Sequence, residues 1–281
     1  MKEITADKIT QAVSDLFRDV CYHLPDDVTS VLVEAKQSEK SPVARNVIER
    51  ILENARIGDR GVVPLCQDTG MAVVFLEIGQ DVHIVGGDLT EGVNEGVRLA
   101  YGEGYLRKSV VTRPFSERVN TKDNTPAIIH TSIVPGDRLK ITALSKGFGS
   151  ENMSRMAMLV PAVGRQGVID FVTDCVDKAG PNPCPPVIVG VGIGGTAEKC
   201  MLIAKKALMR QIGESHEDPE VAELEGEILE RVNDLGIGAM GYGGTVTALA
   251  VHIEVFPTHI ASLPVAVNLQ CHSARHKEIT L

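Results

Sequence analysis

No apolar run in this sequence approaches the roughly 18 to 20 residues that a membrane-spanning helix needs. Residues 1–7 also lack the basic and apolar stretches of a secretory signal peptide, and internal repeats and low-complexity segments are absent. With 43% hydrophobic and 23% charged residues over 281 positions, the chain is able to bury a large core. We therefore expect a globular cytoplasmic protein with no membrane partner.

Positive charge is scarce as well. Lys and Arg number 28 against 37 Asp and Glu, which gives a net charge of −9. Such an acidic chain lacks the broad basic surface that attracts nucleic acid. A local cluster of Arg, Lys and backbone N–H groups still binds a small anion, because the field inside a cleft decides that interaction. The composition is therefore compatible with a small dicarboxylate substrate and argues against nucleic acid as a partner.

Local metal-binding and redox motifs are missing, because the sequence contains no Cys-x-x-Cys pair. This absence excludes a zinc ribbon or a thioredoxin-type motif built from local spacing, and disulfides are not expected among cytoplasmic thiols. Three of the six cysteines fall in predicted amphipathic helices, where a free cysteine packs as a small apolar residue: Cys21, Cys175 and Cys200.

The other three cysteines, Cys66, Cys184 and Cys271, lie on predicted loops beside proline or polar residues. They are far apart along the chain, so only the fold can bring them together. If they meet, their thiolates suit zinc or an iron–sulfur cluster. A cubane cluster held by three cysteines leaves one iron open to water or substrate, where it acts as a Lewis acid. The spacing of these cysteines leaves three possibilities open: they bind an iron–sulfur cluster, they bind a structural zinc ion, or they do not share a site.

The hydrophobic pattern predicts a mixed α/β (α+β) fold with two regions. Apolar residues at helical spacing predict a helical N-terminal region over residues 1–60. Residues 61–281 alternate β-prone runs with helices, which predicts an α/β core with mixed sheets that carries the candidate site. Within this core, residues 127–134 and 138–143 are predicted to pair as a hairpin.

Two stretches of the core concentrate candidate chemistry. Residues 66–70, Cys-Gln-Asp-Thr-Gly, form a polar turn between two apolar runs, a setting in which binding and catalytic groups are commonly displayed. Gly190, Gly192 and Gly195 match a dinucleotide-binding pattern between a strand and a helix. Another helix follows, with no β run in between. Close strand–helix packing or an anion-facing helix N-terminus is therefore the preferred interpretation, and a nicotinamide-binding protein is the alternative.

Several motifs occur in the order found in class I, iron–sulfur-dependent fumarate hydratases, which the chain resembles over nearly its whole length. The resemblance is strongest to the α subunit of the two-subunit form, and the chain is also similar to the α subunit of L(+)-tartrate dehydratase. The motifs are Cys-Gln-Asp-Thr-Gly (66–70), Leu-Arg-Lys-Ser (106–109), Asp-Asn-Thr-Pro-Ala (123–127), Lys-Gly-Phe-Gly-Ser (146–150), Cys-Pro-Pro (184–186), Gly-Ile-Gly-Gly-Thr (192–196) and Cys271.

The resemblance implies a catalytic 4Fe-4S cluster whose ligands are Cys66, Cys184 and Cys271. It implies substrate binding by Gln67, Arg107 and Gly149, and catalytic roles for Asp68 and His259. The residue types suit these roles, since a guanidinium captures a carboxylate through parallel N–H donors and histidine titrates near neutral pH.

Two departures from the family pattern bear on this assignment. Phe148 stands where many relatives have glycine, which makes the loop of Gly149 less permissive. The chain also stops soon after Cys271, whereas single-chain relatives continue. The resemblance therefore implies an α subunit in a homo- or hetero-oligomer that needs a separate β subunit. The expected reaction is the reversible hydration of fumarate to (S)-malate, which residues 150–152 favour over the rival dehydration of L(+)-tartrate.

Overall fold

Residues 2–281, which the computed structural model describes, alternate helices with strands and confirm the predicted mixed α/β fold. The strands are β1 (Lys2–Thr5), β2 (Met71–Gly79), β3 (Val82–Val85), β4 (Ile128–Val134), β5 (Leu139–Lys146), β6 (Arg155–Leu159), β7 (Val187–Gly194), β8 (Ala248–Phe256), β9 (Leu263–Gln270) and β10 (His276–Thr280). The α-helices are α1 (Ala6–Tyr22), α2 (Asp26–Ser38), α3 (Pro42–Gly58), α4 (Leu89–Glu103), α5 (Phe148–Glu151), α6 (Gly164–Ala179), α7 (Ala197–Ala207) and α8 (Pro219–Asn233). None of these helices combines the length and the apolarity that crossing a bilayer requires.

Helices α1, α2 and α3 confirm that the N-terminal segment is helical. Helix α1 begins where the Thr5 side chain accepts a hydrogen bond from the Lys8 N–H group. Helix α3 begins with Pro42, after the Ser41 hydroxyl accepts a hydrogen bond of 3.3 Å from the Ala44 N–H group. These side chains satisfy N–H groups that have no partner inside a helix, and proline suits the first helical position. The local sequence therefore fixes where both helices start.

The chain divides into two compact units that alternate along the sequence. The first unit contains the chain up to Pro25, Ala55–Gly147 and Arg275–Leu281, and the second contains Asp26–Asn54 and Phe148–Ala274. Helix α1 packs on α4 and β5 in the first unit, whereas α2 contacts β8 in the second. The N-terminal helices therefore pack in two different units, and the division into regions 1–60 and 61–281 stays a prediction.

Strand β2 lies at the centre of the first unit, in a sheet of order β10-β5-β2-β4. It pairs in parallel with β4 and antiparallel with β5. The predicted hairpin of residues 127–134 with 138–143 is therefore wrong, since β2 lies between the two strands. The physical reason is the composition of β2, which has five consecutive buried residues. A strand that is buried along its length in this way occupies the middle of a sheet rather than its edge.

The second unit is built on a sheet of order β6-β9-β7-β8, in which β7 runs parallel to β8 and antiparallel to β9. Gly190 and Gly192 lie within β7, beneath α7. A Cβ atom at Gly190 would lie 2.2 Å from the Ala204 carbonyl oxygen, and one at Gly192 would lie 2.1 Å from the Cys200 carbonyl oxygen. The glycines at these two positions therefore serve close strand–helix packing.

Candidate functional site

The turn at residues 66–70 leads into β2 and is held by buried hydrogen bonds. The Thr69 carbonyl oxygen accepts hydrogen bonds from the Tyr101 hydroxyl at 2.6 Å and from the Ser145 hydroxyl at 2.7 Å. Gly70 has a φ of +68°, and a Cβ atom there would lie 2.4 Å from the Lys146 carbonyl oxygen. Only glycine fits this position. These hydrogen bonds therefore fix the polar turn within the first unit. Of its two apolar flanks, β2 is buried, whereas Val62 and Val63 are exposed.

Three predicted site residues follow one another on this turn. Gln67 is exposed, whereas Cys66 and Asp68 are half-buried. The Cys66 Sγ atom lies 4.0 Å from Oε1 of Gln67. Oδ1 of Asp68 accepts a hydrogen bond of 3.0 Å from the Gly70 N–H group, which orients the carboxylate. The turn thus presents a thiol, an amide and a carboxylate together.

Arg275 lies against this turn, and the sequence analysis did not identify it. Its side chain is 1% exposed, and its Nη1 donates a hydrogen bond of 2.7 Å to the Asp68 carbonyl oxygen. Gly147 lies beside both residues, since a Cβ atom there would be 3.0 Å from Nη2 of Arg275 and 3.3 Å from Oδ2 of Asp68. The guanidinium therefore places a fixed positive charge next to Asp68. No local motif marks Arg275, because it reaches this end of the sheet only through the pairing of β10 with β5.

Arg107 is tied to the same turn through its main chain. The Thr69 hydroxyl donates a hydrogen bond of 3.0 Å to the Arg107 carbonyl oxygen, while the Arg107 side chain is exposed. Asn124 is fully buried and links the two segments, because its Oδ1 accepts from the Ser109 N–H group at 2.7 Å and its Nδ2 donates to the Gly70 carbonyl oxygen at 3.1 Å. Arg107 is therefore held next to the turn with its guanidinium at the surface.

Cys184 and Cys271 meet at one end of the sheet in the second unit. Cys184 lies shortly before β7 and Cys271 directly after β9, and these strands are antiparallel with Ile188 opposite Gln270. The two segments are in contact, since Nδ1 of His272 lies 2.9 Å from the Cys184 carbonyl oxygen. Both cysteines are half-buried. Cys184 has a φ of +58°, an uncommon conformation for a residue with a side chain and one that is enriched at functional sites.

Gly149 joins these cysteines at the same end of the second unit. It lies in α5, and a Cβ atom there would be 3.1 Å from the carbonyl oxygen of Asn182, in the loop that carries Cys184. The carboxylate of Glu151 anchors α5 by accepting hydrogen bonds of 2.6 and 2.7 Å from Nζ of Lys205. Gly149 itself is exposed, so its main chain is accessible beside the Cys184 loop.

Within this unit His259 lies away from Cys184 and Cys271, and its predicted catalytic role stays a prediction. It lies in the exposed connection between β8 and β9, where its Nδ1 accepts a hydrogen bond of 3.2 Å from the Ala261 N–H group. Because β9 runs from this connection to Cys271, His259 and Cys271 are at opposite ends of the strand. At about 3.3 Å per residue, the strand separates them by roughly 25 Å.

The six cysteines fall into two chemical groups. Those in the helices, Cys21, Cys175 and Cys200, are fully buried. Burial raises the pKa of the Cys21 thiol and raises the pKa of Cys175 and of Cys200 to about 11, so these thiols stay protonated and bind metal poorly. The half-buried group on the loops consists of Cys66, Cys184 and Cys271. Half-buried loop cysteines are of the kind that ligate iron–sulfur clusters.

Among residues 2–281, no three His, Cys, Asp or Glu side chains gather around one point as ligands of a single metal ion do. The cysteines of a cubane cluster also converge, but each binds a different iron atom, so their sulfur atoms lie farther apart than the ligands of one ion.

Residues 10–280 match the model of a protein family described as fumarate hydratase (Fumerase). The chain is 46% identical over 274 residues to the putative L(+)-tartrate dehydratase subunit alpha of Methanocaldococcus jannaschii, an alignment that covers 95% of each chain. It is 31% identical over 278 residues to the L(+)-tartrate dehydratase subunit alpha of Escherichia coli K12, covering 98% of this chain and 91% of the relative. The protein of the same name from Shigella sonnei gives the same values.

Proposed function

The chain belongs to the fumarate hydratase (Fumerase) family of iron–sulfur hydro-lyases, and from this premise we propose that it is the α subunit of a two-subunit L(+)-tartrate dehydratase. Relatives that align over more than nine tenths of their length carry that name. Residues 150–152 favour fumarate as the substrate. Similarity to the named relatives extends over the whole chain and favours L(+)-tartrate, so we give it more weight.

The observation that carries the hydro-lyase proposal is the meeting of Cys184 and Cys271 beside Gly149 at one end of a sheet. The half-buried cysteines Cys66, Cys184 and Cys271 would hold the 4Fe-4S cluster. Held by three cysteines, the cluster would supply Lewis-acid chemistry toward a substrate hydroxyl. The reducing cytoplasm keeps these thiols available, and it is the compartment in which we place the enzyme.

Asp68 supplies the acid–base chemistry. Dehydration of tartrate removes a proton from one carbon and hydroxide from its neighbour, which yields water and the enol of a keto dicarboxylate. Asp68 is the proton acceptor, because the Gly70 N–H group orients its carboxylate and Arg275 fixes its main chain. In the reverse direction the same carboxyl group returns the proton.

Substrate binding uses three groups. The exposed Arg107 guanidinium captures one substrate carboxylate through two parallel N–H donors. Gln67, next to Asp68, donates its amide to a substrate oxygen. The Gly149 N–H group donates from the main chain, since the absence of a side chain lets a ligand approach closely.

A separate β subunit completes this enzyme. The relatives are themselves named as alpha subunits, which supports a partner chain that contributes further groups to the substrate. We expect the α chain alone to bind the cluster and to lack turnover.

Coexpression under anaerobic conditions with a β subunit from the same genome tests the proposal. The assembled enzyme is expected to contain about four irons per α chain and to have a higher kcat/KM for L(+)-tartrate than for (S)-malate. A colourless assembled protein without iron contradicts the hydro-lyase proposal.

Fumarate hydratase is the second candidate, supported by the description of the matching family. The same assay separates the two candidates. A higher kcat/KM for (S)-malate than for L(+)-tartrate would identify a fumarate hydratase, and the assignment as a hydro-lyase would stand.

A further inference from the structure

Gln270 is a buried polar residue next to a proposed cluster ligand. It is the last residue of β9, directly before Cys271, and is 1% exposed. Within residues 2–281, neither its Nε2 nor its Oε1 atom has a hydrogen-bond partner. A buried amide in this state destabilises the fold, because its polar groups lose their hydrogen bonds to water without replacement, so an apolar side chain at this strand position is expected to give a more stable protein. A bound ligand that forms hydrogen bonds with the amide explains why a polar residue occupies this position.

The neighbouring polar residue on the same face of β9 shows what a structural amide does here. Side chains alternate along a strand, so Asn268 and Gln270 point to one face. Nδ2 of Asn268 donates to Oε2 of Glu151 at 3.0 Å and to Oγ of Ser154 at 2.7 Å. Asn268 thus holds the segment of α5 in place, whereas Gln270, two residues closer to Cys271, has no such role.

Gln270 lies at the end of the sheet where the proposed site lies. Gln270 pairs with Ile188 on β7, shortly after Cys184, and precedes Cys271. The opposite face of β9 is occupied by the core, since Leu269 and Val267 belong to the apolar cluster with α6 and α8. The face of Gln270 is the one on which Asn268 contacts the α5 segment, which contains Gly149.

The chemistry of the amide selects the kind of group that it binds. An amide offers both a donor and an acceptor, and a hydroxyl group matches both, because it accepts from Nε2 and donates to Oε1. An ionised carboxylate only accepts and would leave Oε1 without a partner. The complement of Gln270 is therefore a hydroxyl group.

We propose that Gln270 is a specificity-determining residue that binds the retained hydroxyl of tartrate, the one that is not eliminated. This inference rests on the proposed function. Tartrate and malate have the same four-carbon skeleton and carboxylates, and malate lacks the second hydroxyl. A site built to bind a substrate hydroxyl rejects an analogue without it strongly, because its own buried polar groups are then left unpaired.

The test replaces Gln270 by methionine, an apolar side chain of similar size, in the assembled cluster-loaded enzyme. Gln270→Met is expected to lower kcat/KM for tartrate about 100-fold and to change kcat/KM for malate by less than about threefold. Gln166→Met is the matched control, since Gln166 is exposed on α6 and its Nε2 donates a hydrogen bond to the nearby Asp170 side chain. It is expected to change neither value.

A second readout is independent of turnover. The melting temperature of Gln270→Met without substrate is expected to equal or exceed that of the wild type, and the additional stabilisation by tartrate is expected to be lost. Asn268→Leu, which removes bonds to Glu151 and Ser154, is expected to lower the melting temperature. Gln270→Met that melts well below the wild type, or fails to fold, overturns the proposal by showing that the protein itself satisfies the amide.

The outcomes separate the inference from the proposed function. Wild-type enzyme that prefers tartrate, together with a Gln270→Met variant that loses both substrates equally or neither, overturns the role of Gln270 and leaves the function intact. Wild-type enzyme that does not act on tartrate overturns the proposed function before any variant is measured, and with it the selection of a second hydroxyl.

Discussion

The hydroxyl of Tyr101 donates a hydrogen bond of 2.6 Å to the carbonyl oxygen of Thr69. Tyr101 is fully buried in α4, so the bond connects a rigid helix to the turn that presents Cys66, Gln67 and Asp68. Tyr101→Phe removes only this oxygen. We expect it to lower the free energy of unfolding by about 1 kcal/mol and to lower kcat about tenfold, because the groups on the turn lose their alignment.

Tyr22→Phe is the control for this change. The Tyr22 hydroxyl donates to the Gly104 carbonyl oxygen at 2.9 Å in the same unit, and not to a residue of the turn. Denaturant unfolding and steady-state kinetics on both variants check the prediction. An equal loss of kcat in the two variants contradicts a positioning role for Tyr101.

The two groups of cysteines give a second prediction. Cys184→Ser is expected to abolish iron binding and the broad visible absorbance of the anaerobically purified enzyme, because a serine hydroxyl is a poor replacement for a thiolate ligand. Cys200→Ser makes the same change in a buried helical cysteine whose Sγ bonds the Gly192 carbonyl oxygen at 3.0 Å, and it is expected to retain both. Iron analysis and absorbance spectra decide between them. A Cys184→Ser enzyme with full iron content ends the ligand assignment.

The local parts of this structure are predictable from sequence. Thr5, Ser41 and Asp88 each accept a hydrogen bond from an N–H group at the start of a helix, and such caps depend on neighbouring residues only. The division of the cysteines into helix and loop groups is also confirmed. It was predictable because hydrophobic periodicity shows which side of a helix is buried.

Non-local pairing is what the sequence leaves undetermined. An apolar pattern shows which face of a strand is buried and not which strand lies beside it, so the insertion of β2 between β4 and β5 was not predictable. The role of Arg275 depends on the pairing of β10 with β5. The position of His259 depends on the direction of β9 in the same way. The order of motifs places a histidine shortly before Cys271, whereas the strand carries it to the far end of the sheet.

The packing of α7 on β7 gives a third prediction. Gly192→Ala places a Cβ atom 2.1 Å from the Cys200 carbonyl oxygen, so the helix has to move. We expect the free energy of unfolding to fall by several kcal/mol, or the protein to fail to fold.

Gly226→Ala is the matched control, because Gly226 is exposed on α8 and a methyl group added there would have no atom within 4 Å. Alanine is the better helix former by about 1 kcal/mol, so this variant is expected to be more stable than the wild type. Thermal unfolding of both checks the prediction, and a Gly192→Ala protein of wild-type stability contradicts the packing interpretation.

Buried His252 makes the stability of the second unit depend on pH. Its Nδ1 lies 3.2 Å from the Ala207 carbonyl oxygen, and burial together with the positive charge of Arg210 lowers the pKa of His252 to about 4. The unfolded chain, with a histidine pKa of about 6.5, therefore binds a proton between pH 4 and 6.5 that the folded state does not. Stability is unaffected by this group above pH 6.5, falls as the pH is lowered toward 4, and decreases in total by about 3 kcal/mol.

Denaturant unfolding of His252→Gln is expected to show a smaller decrease in stability between pH 6.5 and 4. The control His83→Gln, at an exposed position on β3, is expected to keep the wild-type profile. Identical pH profiles for the wild type and His252→Gln contradict the assignment.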